Sequence, residues 1–301
     1  MSNNISAVIV SYNPNIKIIG NLIDNLLDQI SEIIIVDNGS NNYIEIETLK
    51  NKKNINIILL GENLGIAKAQ NIGINEAIRM NYEYIIIFDQ DSMIESNFVS
   101  SLMKTHNILR NAGKKIATVG PTFIDTKTLQ KSYALRYEGL KLKKIYSTPD
   151  HLAIESDYII SSGSLIHIDV FKDCGFMNEE LFIDFVDIEW GLRAKKKGYV
   201  SYMACNNYMN HTIGDSSVKL PVLNKFINIH SNFRKYFIVR NAIYLIFYSD
   251  LPINWKLIQI LKTFFYMISI LIASKERLSI TKIFFKGILD GIFRKMGKGS
   301  M

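Results

Sequence analysis

Cysteine is close to absent from this chain of 301 residues. Cys174 and Cys205 supply neither a disulfide framework nor a metal-ligand spacing, so small stapled folds and thiolate-metal domains are excluded. Both read as inert core residues, in keeping with a reducing cytosol. A secretory leader is also missing: Met1-Ser-Asn-Asn runs into an apolar strand with no basic and apolar regions ahead of it. Residues 1–250 lack net charge, with 26 basic and 26 acidic side chains. From Leu251 to Met301, nine Lys and Arg face only Glu276 and Asp290, so the whole +7 sits in that tail. Such asymmetry asks for an anionic partner, a membrane surface or a nucleic acid. An uninterrupted apolar run of the ~20 residues that cross a bilayer is lacking too. Lys256 and Lys262 break residues 254–273, and the stretch from Lys262 to Lys275 is too short.

What is present is a repeated unit of strand, polar turn and helix. Ile5–Val10, Ile33–Val36, Ile55–Leu60 and Ile85–Phe88 are short, apolar and rich in β-branched residues, as strands buried on both faces are. Helical spacing of Ile16, Ile19, Ile23, Leu26, Leu27 and Ile30 predicts the first helix, with Asn13 and Pro14 as its cap and first residue. Polar punctuation follows the strands: Ser11 to Pro14, Asp37 to Ser40, and a Gly- and Asn-bearing loop from Gly61 that opens a helix to about Met80. That loop is neither Gly-x-Gly-x-x-Gly nor a Walker sequence, so dinucleotide and P-loop readings lack a motif. The alternation predicts a nucleotide-binding α/β half with a parallel sheet. A helix over about 95–111 and a strand over 116–119 close that half. Residues 121–156 have no clear period and suit a hairpin region facing substrate. Tyr158 to Ile168 predicts a strand kinked at Ser161–Ser164, either an ordinary bulge or a place where a ligand approaches the backbone.

Two acidic constellations carry the chemistry. The strand ending in Phe88-Asp-Gln-Asp-Ser92 puts Asp89 and Asp91 where open α/β sheets bind ligands. Two carboxylates there repel each other, and a divalent metal carrying a phosphorylated ligand would compensate them; loop capping is the alternative. Asp184, Asp187 and Glu189 stand at a helix start beside Phe182, Phe185 and Trp190. The helix dipole accounts for one or two of them. Apolar rings raise the basicity of a carboxylate, as a general base requires. His211 fits a metal or phosphate ligand, or a structural histidine. Ser279 to Lys295 reads as a basic amphipathic helix, lying in a membrane interface or packed on its own domain.

Together these motifs resemble the inverting family-2 glycosyltransferases of the GT-A fold over residues 5–245, and among them the bacterial rhamnosyltransferases of polysaccharide assembly. Ala7 to Pro14 resembles the family's opening strand and turn, Val36 to Ser40 its second-strand motif, and Asn63 to Gly73 the segment beside base and ribose. Phe88 to Ser92 matches its Asp-x-Asp metal motif, in the Asp-Gln-Asp-Ser form that suggests the rhamnosyl branch. Val186 to Arg193 is similar to its acidic helix-start motif, with Val186 where a first acid is usual. The resemblance implies an α/β catalytic domain over 1–245, with a nucleotide-binding half over about 1–120 and an acceptor half over about 121–245. Residues 246–301 would form a membrane-associating helical tail. Asp187 is implied as catalytic base, with Asp184 as a candidate to share the role. Donor contacts are implied for Ser11, Tyr12, Asn13, Asp37 (on the pyrimidine ring), Asn63, Gly65, Lys68, Asp89, Gln90 and Arg240. Mg²⁺ or Mn²⁺ would sit on Asp89, Asp91 and His211.

The reaction implied is inverting transfer of L-rhamnose from dTDP-β-L-rhamnose to a polyprenyl-diphosphate-linked saccharide, in O-antigen or other cell-surface polysaccharide synthesis. The enzyme would be peripheral to the cytoplasmic face of the bacterial inner membrane. A UDP-sugar donor is the alternative, because thymine and uracil offer Asp37 the same N–H between two carbonyls. A catalytically silent nucleotide-sugar-binding scaffold is another, opposed by the intact Asp89, Asp91 and Asp187 set. A glycoside hydrolase also uses two carboxylates but needs no nucleotide-binding half. Nucleic acid is not expected as a partner, since the tail's basic residues alternate with long aliphatics rather than stacking aromatics. The tail helices would serve an anionic membrane surface or a homodimer interface.

Overall fold

The computed structural model describes residues 4–126, 129–211, 216–220 and 225–299, with backbone alone within 211–229. Strands β1 (Ile5–Ser11), β2 (Glu32–Asp37), β3 (Ile55–Leu59) and β4 (Tyr84–Asp89) alternate with helices α1 (Ile16–Leu27), α2 (Tyr43–Glu47) and α3 (Ile66–Arg79). Then come α4 (Phe98–Asn111), β5 (Ile116–Asp125), a hairpin of β6 (Tyr133–Glu138) and β7 (Lys141–Tyr146), β8 (Ala153–Ser156), β9 (Ser164–His167) and α5 (Ile168–Cys174). Next are α6 (Val186–Lys196), β10 (Val200–His211) and a ribbon of β11 (Ser216–Leu220) and β12 (Lys225–Ile229). Helices α7 (Asn232–Tyr248), α8 (Ile253–Ala273) and α9 (Arg277–Ile292) follow.

The main sheet runs β3-β2-β1-β4-β9-β5-β10-β8. Strands β1 to β4 are mutually parallel, β9 is antiparallel to both its neighbours, and β10 is parallel to β5. The chain moves outward from β1 to β2 and β3, then returns to place β4 on the other side of β1. Ligand crevices open at such a reversal, beyond the carboxyl ends of the strands. Val10 pairs with Asp89, so Ser11 and Asp89 emerge side by side at that edge. Successive strand residues point to opposite faces, and the isoleucine runs therefore fill two cores. Ile34, Val36, Ile85 and Ile87 pack under α3, α5 and α6, whereas Ile33, Ile35, Ile86 and Phe88 pack under α1 and α4.

Four local expectations shift. The first helix starts two residues later than predicted, because the Asn15 side chain accepts from the Lys17 and Ile18 N–H groups at 3.0 and 3.3 Å. Asn13 instead turns into the left-handed region and accepts from the Asn41 N–H at 2.8 Å. Of the kinked strand only Ser164–His167 pairs; the small residues before it turn aside, and Ser162 Oγ accepts from the Asp89 N–H at 3.2 Å. The C-terminal segment is not a free tail. Gly287 and Gly291 let α9 lie directly on α7, since a Cβ there would come within 3.0 Å of Tyr236 O and 2.7 Å of Arg240 O. Trp255 of α8 is 1% exposed and belongs to the main core. Against the expectation from its lysines, α8 is long and apolar enough to cross a bilayer by length and composition. One flank nonetheless faces the domain, where Gln259, Lys262, Thr263 and Tyr266 line the cavity described next.

Candidate active site

At the carboxyl edge of the sheet lies a cleft of 1290 Å³. Ser11, Tyr12, Asn63, Gly65, Asp89, Gln90, Asp91 and Asp187 line it, so eight of the residues predicted from sequence converge on one space. The turns of the nucleotide-binding half are bonded to one another. Gln90 Oε1 accepts from the Tyr12 N–H at 2.7 Å, and its Nε2 donates to Tyr12 O at 3.3 Å. This clips the opening turn to the Asp-x-Asp turn. Ser162 and Ser92 share a hydroxyl hydrogen bond of 2.6 Å beneath the same turn.

Other predicted residues sit outside the lining. Asp37 is 1% exposed and does not line the cavity. Its carboxylate accepts from Ser11 Oγ at 3.1 Å, from the Ser40 N–H at 2.9 Å and from Ser40 Oγ. Its neighbour Asn38 reaches the cavity instead, with Nδ2 donating to Asn63 Oδ1 at 3.0 Å and Oδ1 accepting from the Leu64 N–H at 2.8 Å. Asn13 is exposed and outside the lining, and Lys68 pairs at 2.7 Å with Glu179, also outside it. The side chain of His211, at the end of β10, lies outside the described residues. Gln70 was not among the sequence candidates. It lines the cavity at 1% exposure, and its Oε1 has no hydrogen-bond partner among the described residues. An unsatisfied buried acceptor costs stability unless a ligand donor meets it.

The acidic constellation rests on a strained loop. Phe182, Asp184 and Phe185 all have positive φ (63°, 65° and 67°), a region bulky residues avoid. Asn241 of α7 holds this loop by donating to the carbonyls of Leu181, Ile183 and Asp184 at 2.8, 2.8 and 3.1 Å. Arg240 adds bonds to the carbonyls of Glu180 and Leu181 at 3.2 and 3.0 Å, and to that of Gly297 at 2.7 Å. Arg240 is fully buried, which removes it from the donor contacts implied by the resemblance and makes it a positioning residue. Gly65, at φ +90°, completes the junction: a Cβ there would lie 2.6 Å from the Phe182 ring.

The loop assigns the three acids different tasks. Glu189 is bidentate to Arg193 at 2.8 and 2.9 Å, and Asp184 binds Arg234 at 2.6 Å. Asp187 has no cationic partner among the described residues; its Oδ1 accepts from the Ile188 N–H at 2.8 Å. Burial, reinforced by the charges of Asp89 and Asp184, pushes its pKa up to about 6. It is thus the basic carboxylate of the three.

Asp89 and Asp91 form an oxygen-only pair on the cavity wall, and among the described residues no group of three His, Cys, Asp or Glu gathers to cage an ion. That set fits Mg²⁺ or Mn²⁺, which is bound through one or two carboxylates and completes its shell with water and substrate phosphate.

A mostly parallel sheet reversing at β1 and β4, with paired acids at the reversal and a basic carboxylate in the same cleft, defines a GT-A glycosyltransferase. The chain belongs to glycosyl transferase family 2, whose family model matches residues 6–175. It is 37% identical over 304 residues, 99% of each chain, to the dTDP-rhamnosyl transferase RfbF of Shigella flexneri. In fold it resembles S. aureus TarS 1-349 in complex with UDP-GlcNAc, with a TM-score of 0.58 at 16% identity over 97% of this chain and 81% of that one. It also resembles GalNAc-T7 with UDP, GalNAc and Mn²⁺, with a TM-score of 0.55 at 15% identity over 69% of this chain and 43% of that one. The family and fold expected from the motifs are borne out.

Proposed function

We propose that this glycosyltransferase moves L-rhamnose from dTDP-β-L-rhamnose, with inversion, to a saccharide carried on a polyprenyl diphosphate, and that it works at the cytoplasmic membrane surface with Mg²⁺ or Mn²⁺. The observation that carries the reading is Asp187: a carboxylate that lines one cavity with Asp89 and Asp91, has no cationic partner among the described residues and has a pKa of about 6. A group of that basicity is largely ionised at neutral pH yet accepts a proton readily. Asp187 takes the proton of the acceptor hydroxyl as the oxygen attacks the anomeric carbon opposite the leaving nucleotide. Arg234 keeps Asp184 paired, so the attack has one base. Tyr12, Asn38, Asn63 and Gln70 shape the nucleoside pocket. Asp89 and Asp91 would hold the metal, which when bound stabilises the charge that develops on the departing diphosphate.

The full-length 37% identity to a dTDP-rhamnosyl transferase and the Asp-Gln-Asp-Ser form of the metal motif support the donor. The outward apolar row of α8, within a segment that carries all the net charge, supports the membrane setting. The test is thermal shift of the purified protein with dTDP, dTDP-rhamnose, UDP-sugars and GDP-sugars, with Mg²⁺ or with EDTA. Stabilisation by dTDP species that EDTA abolishes is expected. Stabilisation by UDP species alone would replace rhamnose in the reading, and no response to any nucleotide would sink it.

A further inference from the structure

The cleft has a second wall that donor chemistry leaves unused. Its 1290 Å³ exceeds the ~300–1,000 Å³ typical of a pocket for one small ligand. To the same cleft α8 contributes Gln259, Lys262, Thr263 and Tyr266. Gln259 Nε2 donates to Thr263 Oγ1 at 3.2 Å, which fixes the middle of that face. Tyr266 Oη is buried without a hydrogen-bond partner among the described residues. Burial keeps this phenol protonated, so it remains a donor. Of the Lys and Arg side chains lining the cleft among the described residues, Arg234 binds Asp184. Lys262 has no carboxylate partner among the described residues. Lys262 is an exposed side chain that also lines the cavity, and partial desolvation with the like charge of Lys144 on β7 lowers its pKa. The opposite face of α8 exposes Leu261, Phe264, Phe265, Ile268 and Ile272. One helix therefore carries an anion seat on its inner flank and an apolar track on its outer flank.

We propose that Lys262 and Tyr266 seat the diphosphate of the lipid-linked acceptor, while its prenyl chain leaves along the outer row of α8. This rests on the lipid-linked acceptor of the proposed function. The donor's own diphosphate is the other source of such an anion, and it belongs with the metal at Asp89 and Asp91. Lys262 faces Lys144 of the hairpin, in the half expected to take the acceptor.

Calorimetric titration of the full chain tests this, with Mg²⁺ and saturating dTDP filling the donor site, using farnesyl diphosphate, farnesol and inorganic diphosphate as probes. Lys262→Ala should weaken farnesyl diphosphate binding about tenfold or more, the loss of one charge-assisted contact, and Tyr266→Phe should weaken it less. Lys262→Arg should retain most of the affinity. Neither farnesol binding nor dTDP binding should change in Lys262→Ala, and unchanged dTDP binding also reports an intact fold. Equal farnesyl diphosphate affinity in wild type and Lys262→Ala would overturn the proposal. So would weakened dTDP binding, which would assign Lys262 to the donor, or inorganic diphosphate binding as tightly as the prenyl form. Failure of the donor reading is separate: wild type would then not bind dTDP, and the prenyl titrations are read without it.

Discussion

At the scale of single residues, Asp187 and its neighbours make the sharpest expectations. Asp187→Asn should lower kcat by about 10²–10⁴-fold, the usual contribution of a general base, while the dissociation constant for dTDP stays the same in calorimetry. In wild type, kcat should rise as pH passes upward through about 6, as Asp187 ionises. Stability should run the other way. The folded-state pKa is raised above the ordinary 3.8, so the folded protein holds the proton more tightly, and that advantage is lost as pH climbs from about 4 to beyond 6. Asp187→Asn should therefore melt higher than wild type at pH 8, by a margin of about 1–3 kcal/mol, and show little difference at pH 4. Arg234→Ala would leave Asp184 unpaired and should move the midpoint of the pH–rate profile upward. The acids were legible in the sequence because a buried apolar run that ends in carboxylates is chemically anomalous wherever it folds. Asn38 and Gln70 were not, since a polar residue in a turn or an amphipathic helix carries no periodic signal of the cavity it faces. Arg240 marked the right region and suggested the wrong contact, because only tertiary packing shows its guanidinium spent on backbone carbonyls.

At the scale of elements, the loop of residues 180–185 is a strained part held by α7. Each left-handed non-glycine residue costs on the order of 1–2 kcal/mol, so the loop keeps its shape only while its carbonyls are bound. Asn241→Ala removes three such bonds at once. It should lower the melting temperature by several degrees and kcat by about tenfold or more, with dTDP affinity in calorimetry nearly unchanged. Gly65→Ala should damage both halves, because the new methyl meets Phe182 from the nucleotide side. Its transfer rate and dTDP affinity should fall together. The strands were readable from β-branched runs and the helices from their spacing. The strain was not, since nothing in Phe-Ile-Asp-Phe announces positive φ; it is imposed by Asn241, some sixty residues away in the chain.

At the scale of the whole molecule, charge and apolar surface coincide on the C-terminal helices. The full chain should sediment with liposomes containing anionic lipid and much less with neutral ones, and added salt should release part of it. Phe264→Glu with Phe265→Glu should reduce sedimentation while leaving dTDP binding intact. Composition gave the location of the charge. It did not reveal that these helices also build the enzyme, because an amphipathic pattern reads the same whether a bilayer or a neighbouring helix covers it.

The Arg240 guanidinium donates to the carbonyl of Gly297 on one side and to those of Glu180 and Leu181 on the other, and the Gly297 N–H donates to Glu180 O at 2.9 Å. The far end of the chain is thus spliced into the loop that leads into Asp187. Anyone shortening this protein after residue 250 to make it easier to handle would remove the greasy surface and, with the same cut, a wall of the cleft and the brace behind Asp187. Solubility and turnover cannot be separated here by deletion; they have to be separated by point changes on the outer face of α8.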